Sequence, residues 1–106
     1  MTDRLRIRRA GPRCLRVAGE LDMASSPTLA EELQKAASSG EGSVILEVSE
    51  LTFIDSTGLR VLIEFAQQLG ESGDLILRNP TRAVTEVLEI AGVVAAAANF
   101  IIERDD

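Results

Sequence analysis

Leu5 and Ile7 alternate with Arg4, Arg6 and Arg8, and Cys14, Leu15 and Val17 interleave with Arg13 and Arg16. Alternation with period two predicts half-buried strands, apolar on one side and wet on the other. Gly11-Pro12 between the two segments is a turn signal, so the chain opens as a β-hairpin with its arginines on the wet face. Gly19-Glu20-Leu21-Asp22 then reads as a loop. Ser26-Pro27 has the form of a helix cap with proline in the first helical position. Leu29, Leu33, Ala36 and Ala37 make one helical stripe behind it, ended by the segment Ser38 to Gly42. Val44 to Val48 is apolar and rich in β-branched residues, the pattern of a strand covered on both faces. Leu59, Leu62, Ile63, Ala66 and Leu69 form a second helical stripe, widened by Val61 and Phe65, with Gly70 suited to its C-cap. Leu75-Ile76-Leu77 reads as another buried strand, and Asn79-Pro80 repeats the cap-plus-proline device. Val84, Val87, Leu88 and Ala91 predict a third helix ending at Gly92. The apolar run Val93 to Ala98 has no clear assignment; Phe100-Ile101-Ile102 reads as the last strand, followed by a charged tail.

The order is thus β β α β α β α β. Alternation of strand and helix implies parallel neighbours. The expected fold is a single α/β domain over residues 1–106: a mixed, mostly parallel sheet with an N-terminal antiparallel hairpin, packed with three helices. A length of 106 residues, 45% apolar and 26% charged, suits one folded domain. There is no internal repeat, low-complexity tract or linker pattern.

Composition removes whole classes of chemistry. The chain has no His, so a Ser-His-Asp or Cys-His engine and His-based zinc sites are excluded within it. Cys14 is the sole cysteine, which leaves no internal disulfide or Cys cluster, and its apolar neighbours suggest an inert core thiol. No cofactor and no metal are expected. With no Trp or Tyr, stacking platforms for single-stranded nucleic acid are missing. The net charge of −6 is the wrong sign for a general nucleic-acid binder. It is uneven, however: residues 1–16 hold six Arg and one acid (+5), and the remaining 90 hold five bases and sixteen acids (−11). A basic arm for RNA is one reading of that end; the wet face of the hairpin is the simpler one. The N-terminus has no leader pattern and the longest apolar run is far shorter than the ~20 residues of a membrane span, so a cytoplasmic protein without a membrane partner is expected.

The most loaded junction is Phe53-Ile54-Asp55-Ser56-Thr57-Gly58-Leu59-Arg60, at the predicted start of the second helix. Asp, Ser and Thr are favoured N-caps because their oxygens accept from free backbone N–H groups. One cap needs one such residue. Three in a row, followed by a glycine costing ~1 kcal/mol of helix propensity against Ala, exceed that requirement. Such glycines ordinarily permit close approach of another backbone or a ligand. A helix N-terminus also favours anions, so Ser56 or Thr57 could hold a phosphate, bound or covalent. The alternatives fail on residues. A P-loop needs Gly-x4-Gly-Lys-Ser/Thr, and the only lysine is Lys35. A nucleophile elbow needs Gly-x-Ser-x-Gly and a histidine. An aspartic-protease turn would have one residue fewer between Asp55 and Gly58, and a phosphoaspartate receiver would need an early acidic pair and a late lysine.

Thr52 to Leu59 resembles the signature of STAS domains, specifically the bacterial anti-sigma factor antagonists. Gly19-Glu20-Leu21-Asp22 before a Ser-Pro helix start, Val44 to Val48, and Asn79-Pro80 follow the family pattern in order along the whole chain. The resemblance implies a regulator and not an enzyme. Unphosphorylated, it would bind an anti-sigma factor that is itself a serine kinase; phosphorylation would release it, and a serine phosphatase would restore binding. Carried onto this chain, the phosphoacceptor is Ser56, with Thr57 as runner-up. Asp22, Asp55, Ser56, Thr57, Gly58 and Arg60 form the partner-binding set. A monomer or weak homodimer is implied, without direct contact to nucleic acid. A ligand-sensing STAS domain for a nucleotide or small anion, or a scaffold STAS domain, is the alternative. The family's best-known members continue Gly-Leu-Gly where this chain has Gly58-Leu59-Arg60. Arg60 is placed either to pair with Glu64 one turn on, or to meet the partner or a phosphate on Ser56.

Overall fold

A computed structural model describes residues 4–92 and 97–105; the run Val93 to Ala98 lies largely outside them. The elements are β1 (Leu5–Gly11), β2 (Cys14–Leu21), α1 (Ser26–Ala37), β3 (Val44–Ile54), α2 (Ser56–Leu69), β4 (Leu75–Arg78), α3 (Arg82–Ala91) and β5 (Phe100–Glu103), with a short 3-10 turn at Gly70–Ser72. The strands lie in the order β1-β2-β3-β4-β5. β1 runs antiparallel to β2, and every other pair is parallel. This is the expected mixed sheet with its N-terminal hairpin.

One side of that sheet carries the core. Leu15, Leu46 and Leu77 lie in register across β2, β3 and β4, with Val44, Leu75 and Phe100 in the next row, and all are buried. Leu29 and Leu33 of α1, Leu59, Leu62, Phe65 and Leu69 of α2, and Val84 and Leu88 of α3 join them in one apolar cluster. The helices therefore share one face, and the molecule has two layers.

The other face is open, which corrects the reading of β3 and β4 as covered on both sides. Cys14, Ile45, Ile76 and Ile101 form a row across four strands there, half-buried or exposed. Beside it runs a charged row, Arg8, Arg16, Glu47, Arg78 and Glu103. Cys14 is accordingly a half-buried thiol on the sheet surface and not a core residue. An apolar pentapeptide cannot show which of its two faces receives helices.

Element ends differ from the sequence reading in four places. Gly19 to Leu21 belongs to β2, because β3 continues through Ser49 to Ile54 and supplies pairing partners. Gly19 adopts φ 101°, and a Cβ there would stand 2.0 Å from the Arg4 carbonyl oxygen. α1 begins at Ser26 itself, with Ser25 in the N-cap position, one residue before the expected cap; Ser26 is buried, and its hydroxyl donates to the Asp22 carbonyl at 2.6 Å. α3 is capped by Thr81, whose Oγ1 accepts from the Val84 N–H at 3.3 Å and donates to the Leu51 carbonyl at 2.9 Å. Asn79 instead turns the chain at φ 57°, and its side chain binds Glu47 and Asp105. Gly70 and Gly92 close α2 and α3 as their sequence positions suggest.

Three of the six N-terminal arginines are tied down. Arg13 lies off the wet face: its guanidinium donates to the carbonyls of Ala36, Ala37, Gly40, Gly42 and Ser43, clasping the negative end of α1 to the loop before β3. Arg4 pairs with Asp22, and Arg9 reaches Glu32. Among the described residues, Arg6, Arg8 and Arg16 have no ion-pair partner.

Candidate functional site

Because β2 and β3 are parallel with Leu21 opposite Ile54, the two residues that follow, Asp22 and Asp55, leave the sheet side by side. The Asp55 N–H donates to the Leu21 carbonyl at 3.1 Å, extending the pairing by one bond. Asp55 then caps α2: one carboxylate oxygen accepts from the Gly58 N–H at 2.9 Å. The other accepts from the Met23 N–H at 3.2 Å, so a single carboxylate stitches the β2–α1 loop to the helix start.

Asp22 shapes that loop from inside. One oxygen accepts the N–H groups of Ala24 and Ser25, both at 3.0 Å, and the other accepts from the Arg4 guanidinium at 2.9 Å. The Arg4 hydrogen bond foremost, aided by the Ser25 N–H, holds the Asp22 carboxyl below the usual carboxylate range against the opposing effect of burial. Its oxygens are thus occupied within the chain.

Gly58 is buried in the first turn of α2, and a Cβ there would meet Leu21 Cγ at 2.6 Å, Leu21 Cδ2 at 3.0 Å and the Leu21 carbonyl oxygen at 3.0 Å. Absence of a side chain is what lets α2 start so close to β2. Ser56, by contrast, opens the helix exposed, and among the described residues its hydroxyl makes no hydrogen bond. Thr57 is half-buried. Arg60, one turn along from Ser56, is exposed. Among the described residues it has no carboxylate within ion-pair distance, so the Arg60–Glu64 pair does not form.

Two residues at this end escaped the sequence reading. Met23, whose N–H binds Asp55, is 73% exposed, and Phe53, two residues before Asp55, is 47% exposed. Large apolar side chains left in water beside a polar cluster suit a protein contact. Periodicity hides Phe53, because the β2–β3 register shifts between Gly19 and Glu20 and disturbs the alternation on β3. Met23 lies in a turn, where no period applies.

The surface so formed is an acid-rich loop pair with an exposed hydroxyl at a helix start and an apolar margin. The chain belongs to the STAS domain family, whose pattern matches residues 6–100, and within it to the anti-sigma factor antagonists, which are non-enzymatic regulators. BtrV of Bordetella bronchiseptica, assigned to the anti-sigma factor antagonists, is 36% identical over 78 residues, which are 73% of this chain and 67% of that protein. The anti-sigma-B factor antagonist of Bacillus subtilis is 32% identical over 78 residues, 73% of this chain and 71% of its own length. The fold is that of the anti-sigma factor antagonist SpoIIAA in its unphosphorylated form, with TM-score 0.72 at 20% identity over 96% of this chain and 88% of that one. An anti-sigma factor antagonist from Mycobacterium paratuberculosis superposes with TM-score 0.73 at 19% identity, over 93% and 83% of the two chains. Among the described residues no helix is long and apolar enough to cross a membrane.

Proposed function

We propose that this chain binds an anti-sigma factor that is a serine kinase, through the α2 start and the β2–α1 loop, and that phosphorylation of Ser56 releases it. A serine phosphatase would reset the switch. The relatives' names supply the partner class. The observation that carries the switch is the contrast within the motif. Asp55 and Gly58 are consumed by local structure, whereas Ser56 is exposed with its hydroxyl unengaged among the described residues. A kinase can reach it without disturbing the fold, and Thr57, half-buried, is the second choice.

Phosphoserine adds about −1.5 to −2 charge at neutral pH. The positive end of α2 tolerates that charge in the free protein. In a packed interface beside the Asp55 carboxylate the same charge is repelled, and like-charge juxtaposition there costs several kcal/mol. A penalty of ~4 kcal/mol weakens binding about a thousandfold. Release thus requires no refolding. Met23, Phe53 and Arg60 would supply the apolar and cationic contacts of the bound state.

Binding to the cognate anti-sigma kinase, measured by calorimetry, tests the switch. Ser56→Ala keeps wild-type affinity, while Ser56→Asp and Ser56→Glu lose it. Equal affinity for all three removes Ser56 from the mechanism.

A further inference from the structure

The open face of the sheet holds a second candidate site, away from α2. Arg8 stands directly opposite Arg16 across the hairpin, and Arg6, two residues along β1, is on the same face opposite Ala18. All three are exposed. Like charges directly opposite one another on a sheet are destabilising. No acid closes an ion pair with them: among the described residues none of the three has a carboxylate within ion-pair distance. Glu47, opposite Arg16 on β3, directs one oxygen to the Ser49 N–H at 3.2 Å and the other to the Asn79 amide at 3.3 Å. Arg4, Arg9 and Arg13, from the same segment, all found partners. The cost of the unpaired trio is therefore concentrated on one surface.

That surface is concave. Arg6 and Arg8 of β1, Arg16 of β2, and Glu47, Ser49 and Glu50 of β3 line a depression of about 200 Å³, basic toward β1 and acidic toward β3. Its size is below the several hundred Å³ typical of drug-sized ligands, so it fits a small solute and not a dinucleotide. The two sides differ in chemistry. Guanidinium groups bind phosphate oxygens through charge-assisted, often bidentate hydrogen bonds. Carboxylates and a serine hydroxyl accept from the hydroxyl groups of a polyol. We propose that this depression binds a phosphorylated polyol of sugar-phosphate size, with the phosphate on Arg6, Arg8 and Arg16 and the hydroxyls on the Glu47–Glu50 rim. Such a site lies on the sheet surface, and its occupation does not depend on phosphorylation of Ser56.

The test is an amide-resolved NMR titration of the whole chain with ribose 5-phosphate, inorganic phosphate and ribose. Saturable shifts are expected at residues 6–8, 16–18 and 47–50, with ribose 5-phosphate binding more tightly than phosphate and ribose not binding. Arg8→Gln and Arg16→Gln each weaken ribose 5-phosphate by at least about tenfold, the loss expected for one charge-assisted contact. Arg60→Gln, beside Ser56, leaves it unchanged. All three arginines are on the surface, so their variants keep the wild-type amide spectrum elsewhere. Shifts centred on Asp55 to Gly58, unaltered affinity in Arg8→Gln and Arg16→Gln, or no saturable shift on this face overturns the site. Phosphate binding as tightly as ribose 5-phosphate overturns the role given to the acidic rim.

Discussion

Replacing Gly58 by alanine sets two effects of opposite sign against each other. In an unobstructed helix the change gains ~1 kcal/mol of propensity. Here the new Cβ would sit 2.6 Å from Leu21 Cγ, 3.0 Å from Leu21 Cδ2 and 3.0 Å from the Leu21 carbonyl oxygen. Leu21 is 0% exposed, so its side chain has no solvent to swing into. Its carbonyl also accepts the Asp55 N–H, so moving the strand strains the α2 cap. Overpacking of this kind costs ~1–3 kcal/mol, and a contact on a branching carbon backed by main chain belongs in the upper part of that range. The net expectation is a loss of ~1–2 kcal/mol, seen as a fall in Tm of roughly 4–15 °C for a domain of this size. Urea unfolding followed by circular dichroism measures it, with an unchanged slope confirming that the folded and unfolded ensembles are otherwise alike. Leu21→Ala provides the second arm. It removes the two carbon contacts, so Gly58→Ala in that background becomes nearly neutral, a coupling of ~1–2 kcal/mol. A rise in Tm for Gly58→Ala alone, or the same loss in both backgrounds, would refute close packing on Leu21 as the reason for this glycine.

Three further outcomes follow from the site and its supports. Asp55→Ala removes the α2 cap and costs ~0.5–2 kcal/mol, whereas Ser56→Ala at the exposed neighbour stays within ~0.5 kcal/mol; urea midpoints of equal size for the two would contradict this division. Asp22 has its pKa lowered on folding, chiefly by Arg4, so its contribution is complete above the ordinary carboxylate pKa and disappears as pH falls through the folded value. The urea midpoint of the wild type therefore drops on acidification below about pH 4 more steeply than that of Asp22→Asn, and parallel curves would remove Asp22 from the acid response. Arg13→Ala strips the donors from five carbonyls around the α1 C-terminus and costs ~1.5–3 kcal/mol. Arg13→Lys, a point charge without the planar fork, recovers little of that; full recovery in thermal unfolding would show that charge alone suffices.

Local signals alone placed much of this protein. Period-two and helical spacing located the hairpin, the faces of three helices and the order of elements, because both patterns depend on residues within a few positions of one another. The Asp55-Ser56-Thr57-Gly58 cluster announced a helix start in the same way, and the excess of polar residues there marked it as more than a cap. Tertiary structure decided what Asp55 and Gly58 do. Gly58 is explained only by Leu21, which approaches from a different strand. Asp55 binds Met23 across a gap of 32 residues, and Thr81 caps α3 while holding Leu51, a contact no spacing rule contains. The run Val44 to Val48 is equally compatible with one or two covered faces. The helices' common side settled that, leaving Cys14, Ile45, Ile76 and Ile101 outward. The six arginines of the opening segment look alike in sequence. Partners distant along the chain hold Arg4, Arg9 and Arg13, while Arg6, Arg8 and Arg16 gather on the open face, because which side of a strand meets the core is fixed by packing and not by neighbours in the chain.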